Sequence, residues 1–128
     1  MTCEGMAAAK RGTALLVDDE EVVRMTTADM LAELGYRVIE AASGDEALRL
    51  LEGGVYPDLL VTDHLMPGMN GTELARGFQR LRPGAGVLII SGYAELDGMA
   101  PDLPRLAKPF KAVELAASLA ARPDGIPR

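Results

Sequence analysis

Short apolar blocks alternate along this chain with stretches in which apolar residues return every three or four positions. Ala14-Leu15-Leu16-Val17 is uninterrupted and stops at Asp18-Asp19-Glu20-Glu21, the pattern of a strand buried on both faces that emerges at the end of a parallel sheet. From Glu21 to Leu34, the positions Val23, Thr27, Met30, Leu31 and Leu34 share one helical face, and Gly35 is placed to end that helix. Tyr36–Ala41 predicts a second strand. Ser43-Gly44-Asp45-Glu46 carries the Ser-x-x-Glu pattern of a capped helix start, and that helix runs through Ala47, Leu48 and Leu51 to Gly53-Gly54. Asp58–Asp63 predicts a third strand ending in a carboxylate. Asn70, with Glu73 three residues on, caps a helix carrying Leu74, Phe78 and Leu81, closed by Arg82-Pro83-Gly84. Val87–Ser91 follows as a fourth strand and Arg105–Lys108 as a shorter fifth. Lys111–Ala121 is the last helix, with Val113, Ala116 and Leu119 expected on its buried face.

This alternation predicts an α/β fold, a doubly wound five-stranded parallel sheet. Between the fourth and fifth strands lie only Gly92–Pro104, with Gly98, Pro101 and Pro104, so the helix there is expected to be shortened or irregular. Residues 1–12 read as a flexible lead-in, 13–121 as one domain and 122–128 as a frayed tail. A chain of 128 residues buries roughly two thirds of its unfolded surface, enough for one core without a disulfide or a structural metal.

Charge narrows the partners. Thirteen basic residues against 19 acidic ones leave a net charge of −6, which disfavours nucleic acid and anionic membranes. The single cysteine, Cys3, allows no intrachain disulfide, and no run approaches the length of a membrane span or a secretory leader. A soluble protein of the reducing cytoplasm is the expectation. With about seven residues after the last helix, no DNA-binding or catalytic module is expected to follow.

In an open parallel sheet, ligands bind beyond the carboxyl ends of the strands. The polar residues there are Asp18, Asp19 and Glu20 after the first strand, Asp63 after the third, Ser91 after the fourth and Lys108 after the fifth. Carboxylates gathered so closely repel one another and either take up protons or hold a hard cation with oxygen ligands, of which Mg²⁺ is the simplest. A lysine and a serine hydroxyl beside them supply what surrounds a phosphoryl group. Singly, each residue has a plainer reading: an aspartate after a strand is often a helix cap, a serine a turn residue and a lysine solvated. His64, next to Asp63, is expected to be a surface residue.

Read together, LLVDDEE at 15–21, VTDHLMPGMNG at 61–71, ISGY at 90–93 and LAKPF at 106–110 resemble the receiver domains of two-component response regulators over residues 13–120. The resemblance is strongest to stand-alone receivers and to receivers of hybrid histidine kinases. It implies a flavodoxin-like sheet of order 2-1-3-4-5 and a phosphoacceptor signalling domain, whose only chemistry is its own phosphotransfer and dephosphorylation. It implies that Asp63 accepts a phosphoryl group from a phosphohistidine. Asp18, Asp19 and Asp63, with the main-chain carbonyl of Leu65, would hold Mg²⁺, Asp19 as the more direct ligand. Lys108 would contact the phosphoryl oxygens, Ser91 would be the switch hydroxyl, and the peptide before Pro109 would be cis. The implied partner is a histidine kinase or histidine phosphotransfer protein docking near the first helix, with neither nucleic acid nor membrane involved.

Two positions depart from the pattern. Arg105 stands three residues before the lysine, where the family often has an aromatic switch residue, and the span from Ser91 to Lys108 is short. Leu65 and Tyr93 flank the phosphate position, and their bulk is expected to obstruct hydrolytic water and prolong the acyl phosphate. Three rival readings remain. A Mg²⁺-dependent phosphatase with an aspartate nucleophile would need an acid near Asp63, but the second residue on is Leu65. A flavodoxin-like cofactor binder would need a Gly/Ser/Thr-rich phosphate turn where this chain has Asp18-Asp19-Glu20-Glu21. A receiver used only as a scaffold is disfavoured by the complete residue set.

Overall fold

The computed structural model describes residues 12–64, 66–91, 104–108 and 110–120. Residues 1–11 of the expected lead-in, Leu65, residues 92–103 with Tyr93 and the expected short helix, Pro109 and residues 121–128 lie outside the described residues. The strands are β1 (Thr13–Val17), β2 (Arg37–Ala41), β3 (Leu59–Asp63), β4 (Gly86–Ser91) and β5 (Arg105–Ala107). All pair in parallel, in the order β2-β1-β3-β4-β5, the flavodoxin-like arrangement expected. The described helices are α1 (Glu21–Glu33), α2 (Gly44–Glu52), α3 (Gly71–Leu81) and α4 (Ala112–Ala120). None of them is long and apolar enough to cross a membrane.

The sheet is apolar on both faces, which is why its strands read as unbroken apolar blocks. Leu15, Val17, Leu60, Val87 and Ile89 pack on one face with Ala47 of α2 and Leu74, Ala75 and Phe78 of α3. Ala14, Leu16, Leu59, Val61, Leu88 and Ile90 pack on the other with Ala28 and Leu31 of α1 and Leu115 and Leu119 of α4.

The helix starts follow local chemistry. Asn70 accepts from the Glu73 N–H at 2.8 Å and donates its own N–H to the Glu73 side chain at 3.0 Å, a complete capping box. At α2 the Ser43 hydroxyl accepts from the Glu46 N–H at 3.0 Å, whereas the Glu46 carboxylate reaches one residue further back, to the Ala42 N–H. In α4 the expected face is corrected: Val113 is exposed, and the buried pair is Leu115 and Leu119, four apart. A nine-residue helix with four alanines carries too little contrast for periodicity to choose its face.

Candidate functional site

The sheet register puts the expected polar residues at one pole. Val17 lies beside Thr62, Asp63 beside Ile90 and Ser91 beside Ala107, so the chain leaves β1, β3, β4 and β5 at a common level. Backbone bonds carry the alignment one residue past the strands: His64 donates to the Ile90 carbonyl at 2.9 Å and Lys108 to the Ser91 carbonyl at 2.7 Å.

Carboxylate oxygens of Asp18, Asp19 and Asp63 lie within 4.8 Å of one another. Asp18 and Asp63 are buried and Asp19 is exposed. Two oxygens on opposite sides of a bound Mg²⁺ stand about 4.2 Å apart, so the cluster has the spacing and the all-oxygen donors of a hard-cation site. Capping does not account for these aspartates, because the N-cap of α1 is Glu20, with no side-chain cap bond, and α3 is capped by Asn70. Asp18 Oδ1 instead accepts from the Glu20 N–H at 2.9 Å.

The Lys108 ammonium sits 3.0 Å from Asp63 Oδ1. Burial pulls this lysine down, but the hydrogen bond and charge of Asp63, with Asp18 and Glu20 behind them, outweigh it and hold Lys108 above its ordinary range. Asp18 is pushed up by burial and by Asp19 and Glu20, despite the Glu20 N–H and Lys108 acting to lower it. Four carboxylates around one ammonium are therefore under-compensated, as a site that receives further positive charge would be. Ser91 Oγ is fully buried and is the one buried side-chain N or O atom among the described residues with no hydrogen-bond partner.

His64 corrects its expectation: it is buried beneath the start of α3, with Nδ1 3.4 Å from the Thr72 hydroxyl and its carbonyl accepting from the Gly71 N–H at 2.8 Å. Sequence reasoning passed over Gly71. A Cβ there would collide with the Asp63 carbonyl and stand 2.9 Å from His64 Cα, so the glycine lets α3 press against the backbone that carries Asp63. Its signal was the Asn-Gly pair directly before an amphipathic helix. Arg105 is exposed on β5.

A doubly wound parallel sheet with a carboxylate cluster, a paired lysine and an orphaned hydroxyl at its carboxyl pole has its candidate ligand site where α/β proteins of this class bind ligands. The response regulator receiver domain matches residues 14–120, and the chain belongs to that family. It is a signalling domain of two-component systems. The sensor kinase CckA of Brucella abortus is 42% identical over 114 residues, a match covering 84% of this chain and 12% of that protein. Sporulation initiation phosphotransferase F of Bacillus subtilis is 31% identical over 106 residues, covering 79% of this chain and 85% of that protein. The crystal structure of the receiver domain of the hybrid histidine kinase CckA superposes with a TM-score of 0.69 at 36% identity, covering 83% of this chain and 94% of that one.

Proposed function

We propose that Asp63 accepts a phosphoryl group from the phosphohistidine of a histidine kinase or histidine phosphotransfer protein, in a step that depends on Mg²⁺. The observation that carries this reading is the contact of Lys108 with Asp63 inside the carboxylate cluster, at 3.0 Å. In the transfer, the phosphorus–nitrogen bond breaks as a carboxylate oxygen of Asp63 bonds to phosphorus, and the departing imidazole takes a proton. Such a reaction needs in-line positioning and charge neutralisation more than covalent help. The side chains of Asp18, Asp19 and Asp63, with the carbonyl of Leu65, would hold Mg²⁺, which would neutralise phosphoryl oxygens. Lys108 would turn from the Asp63 carboxylate to the new phosphoryl oxygens. Ser91, buried without a partner, would donate to one of them, and this hydrogen bond would move the segment after β4.

Docking on α1 is supported by its surface. Val22 and Met25 are exposed, and a groove of about 260 Å³ lined by Val23, Thr26, Met30 and Phe110 leads to Lys108. Output by protein contacts is in keeping with this surface and the acidic charge. The 42% identity to CckA favours a second reading, in which the chain corresponds to the receiver segment of a hybrid kinase.

Intact mass after incubation with acetyl phosphate tests the chemistry. The expected result is a single phosphoryl adduct that requires Mg²⁺ and is absent in Asp63→Asn. An adduct that persists in Asp63→Asn would overturn the assignment of the acceptor.

A further inference from the structure

The acidic loop after β1 is gripped by a residue outside the cluster. The Arg24 N–H closes the first turn of α1 on the Glu20 carbonyl at 2.8 Å, and its side chain, 16% exposed, folds back over the loop. Nη1 donates to the Asp18 main-chain carbonyl at 2.9 Å and Nε to Glu40 Oε1 on β2, also at 2.9 Å. The Asp18 N–H donates in turn to the Ala41 carbonyl at 3.1 Å. Asp18 is thus held on its N–H side by β2 and on its carbonyl side by α1. Its carbonyl shares one peptide plane with the Asp19 N–H, so the same hydrogen bond restrains the peptide unit from which the Asp19 Cα projects. Glu40 matches the guanidinium charge. What Arg24 brings to the cluster is therefore a rigid two-pronged donor and little net field.

We infer that Arg24, anchored by Glu40, is a positioning residue that orients the Asp18–Asp19 peptide and thereby sets the affinity of the carboxylate cluster for a divalent cation. This rests on the metal-dependent reading above. Two mechanisms predict opposite signs. If Arg24 acted chiefly as a positive charge, removing it would tighten cation binding; as a positioning group, its removal weakens binding. Arg24→Lys keeps the charge, but one ammonium cannot reproduce the fork between the Asp18 carbonyl and Glu40, so it does not restore wild-type affinity.

The test is titration of the full chain with Mn²⁺, following the free ion by electron paramagnetic resonance, for wild type, Arg24→Met, Arg24→Lys and Glu40→Gln. Denaturant unfolding without metal identifies which variants are folded. The expected result is a dissociation constant raised about tenfold in Arg24→Met, the size typical of residues that orient metal ligands, and raised by less in Arg24→Lys and Glu40→Gln. In acetyl phosphate reactions the half-saturating Mg²⁺ concentration rises with it, while the rate at saturating Mg²⁺ is kept. Folded variants that bind Mn²⁺ within about twofold of wild type, or more tightly, overturn the inference. If Arg24→Met does not fold, Arg24→Lys, which keeps the charge, decides by the same criterion. Wild type failing to bind Mn²⁺ would remove the metal-dependent reading itself, and this inference with it.

Discussion

The two poles of the sheet handle charge in opposite ways. At the amino pole the exposed Asp58 carboxylate accepts from the Thr13 N–H at 2.9 Å and from Arg82 at 3.4 Å. Arg82 donates Nε to the Pro57 carbonyl at 2.9 Å and stacks 3.6 Å from the ring centre of Tyr56. Gly12, at φ +98°, fits there because a Cβ would strike the Asp58 carboxylate. This pole ties β1, β3 and the end of α3 together with its donors and acceptors matched. At the carboxyl pole, Asp18, Asp19, Glu20 and Asp63 gather around Lys108, and Ser91 has no partner among the described residues. Polar groups at one pole complete the fold; at the other they are left incompletely satisfied, as in a site shaped for a charged ligand.

Substitutions at each pole should separate these roles. The largest effect is expected from Lys108→Ala, which should slow adduct formation from acetyl phosphate by about a hundredfold, measured by intact mass against time. Gly71→Ala should follow, costing about 2 kcal/mol in denaturant unfolding and slowing phosphorylation, because the added methyl must displace the backbone of Asp63 and His64. Arg82→Ala, at the amino pole, should cost about 1 to 2 kcal/mol while leaving the phosphorylation rate unchanged. A slowed reaction there would break the division between the poles.

The smallest effect should have the opposite sign. Burial raises Asp18 in the folded state, so its ionisation opposes folding at neutral pH, and that opposition fades as pH falls through the raised value. Asp18→Asn should therefore stabilise the metal-free protein by about 1 kcal/mol at neutral pH, and the two unfolding midpoints should converge on acidification. Equal midpoints at neutral pH would show that the carboxyl pole carries no stored repulsion.

Much of this was legible in the residues because several signals are local. A strand buried on both faces must be apolar throughout, so β1, β3 and β4 announced themselves, and the capping box at Asn70 and Glu73 marked α3 within a residue. The carboxylates and Lys108 were legible for a topological reason, since every parallel strand delivers its last residue to the same pole. Val113, His64, Gly71 and Arg24 were not. Whether Val113 faces the sheet depends on how α4 is rotated against it. Whether His64 meets solvent depends on where α3 begins to cover the strand end.

The sequence alone determined the order of elements, the apolar core and the chemistry available at the strand ends, because each is set by neighbours in the chain or by the rule that parallel strands share a direction. Only the tertiary structure decided which donors meet which acceptors. Arg24 grips the Asp18 carbonyl while anchored on Glu40, 16 residues away, and Arg82 reaches Pro57 across 25. Such contacts depend on sheet register and helix placement to within an ångström, and no local pattern of residues encodes that distance.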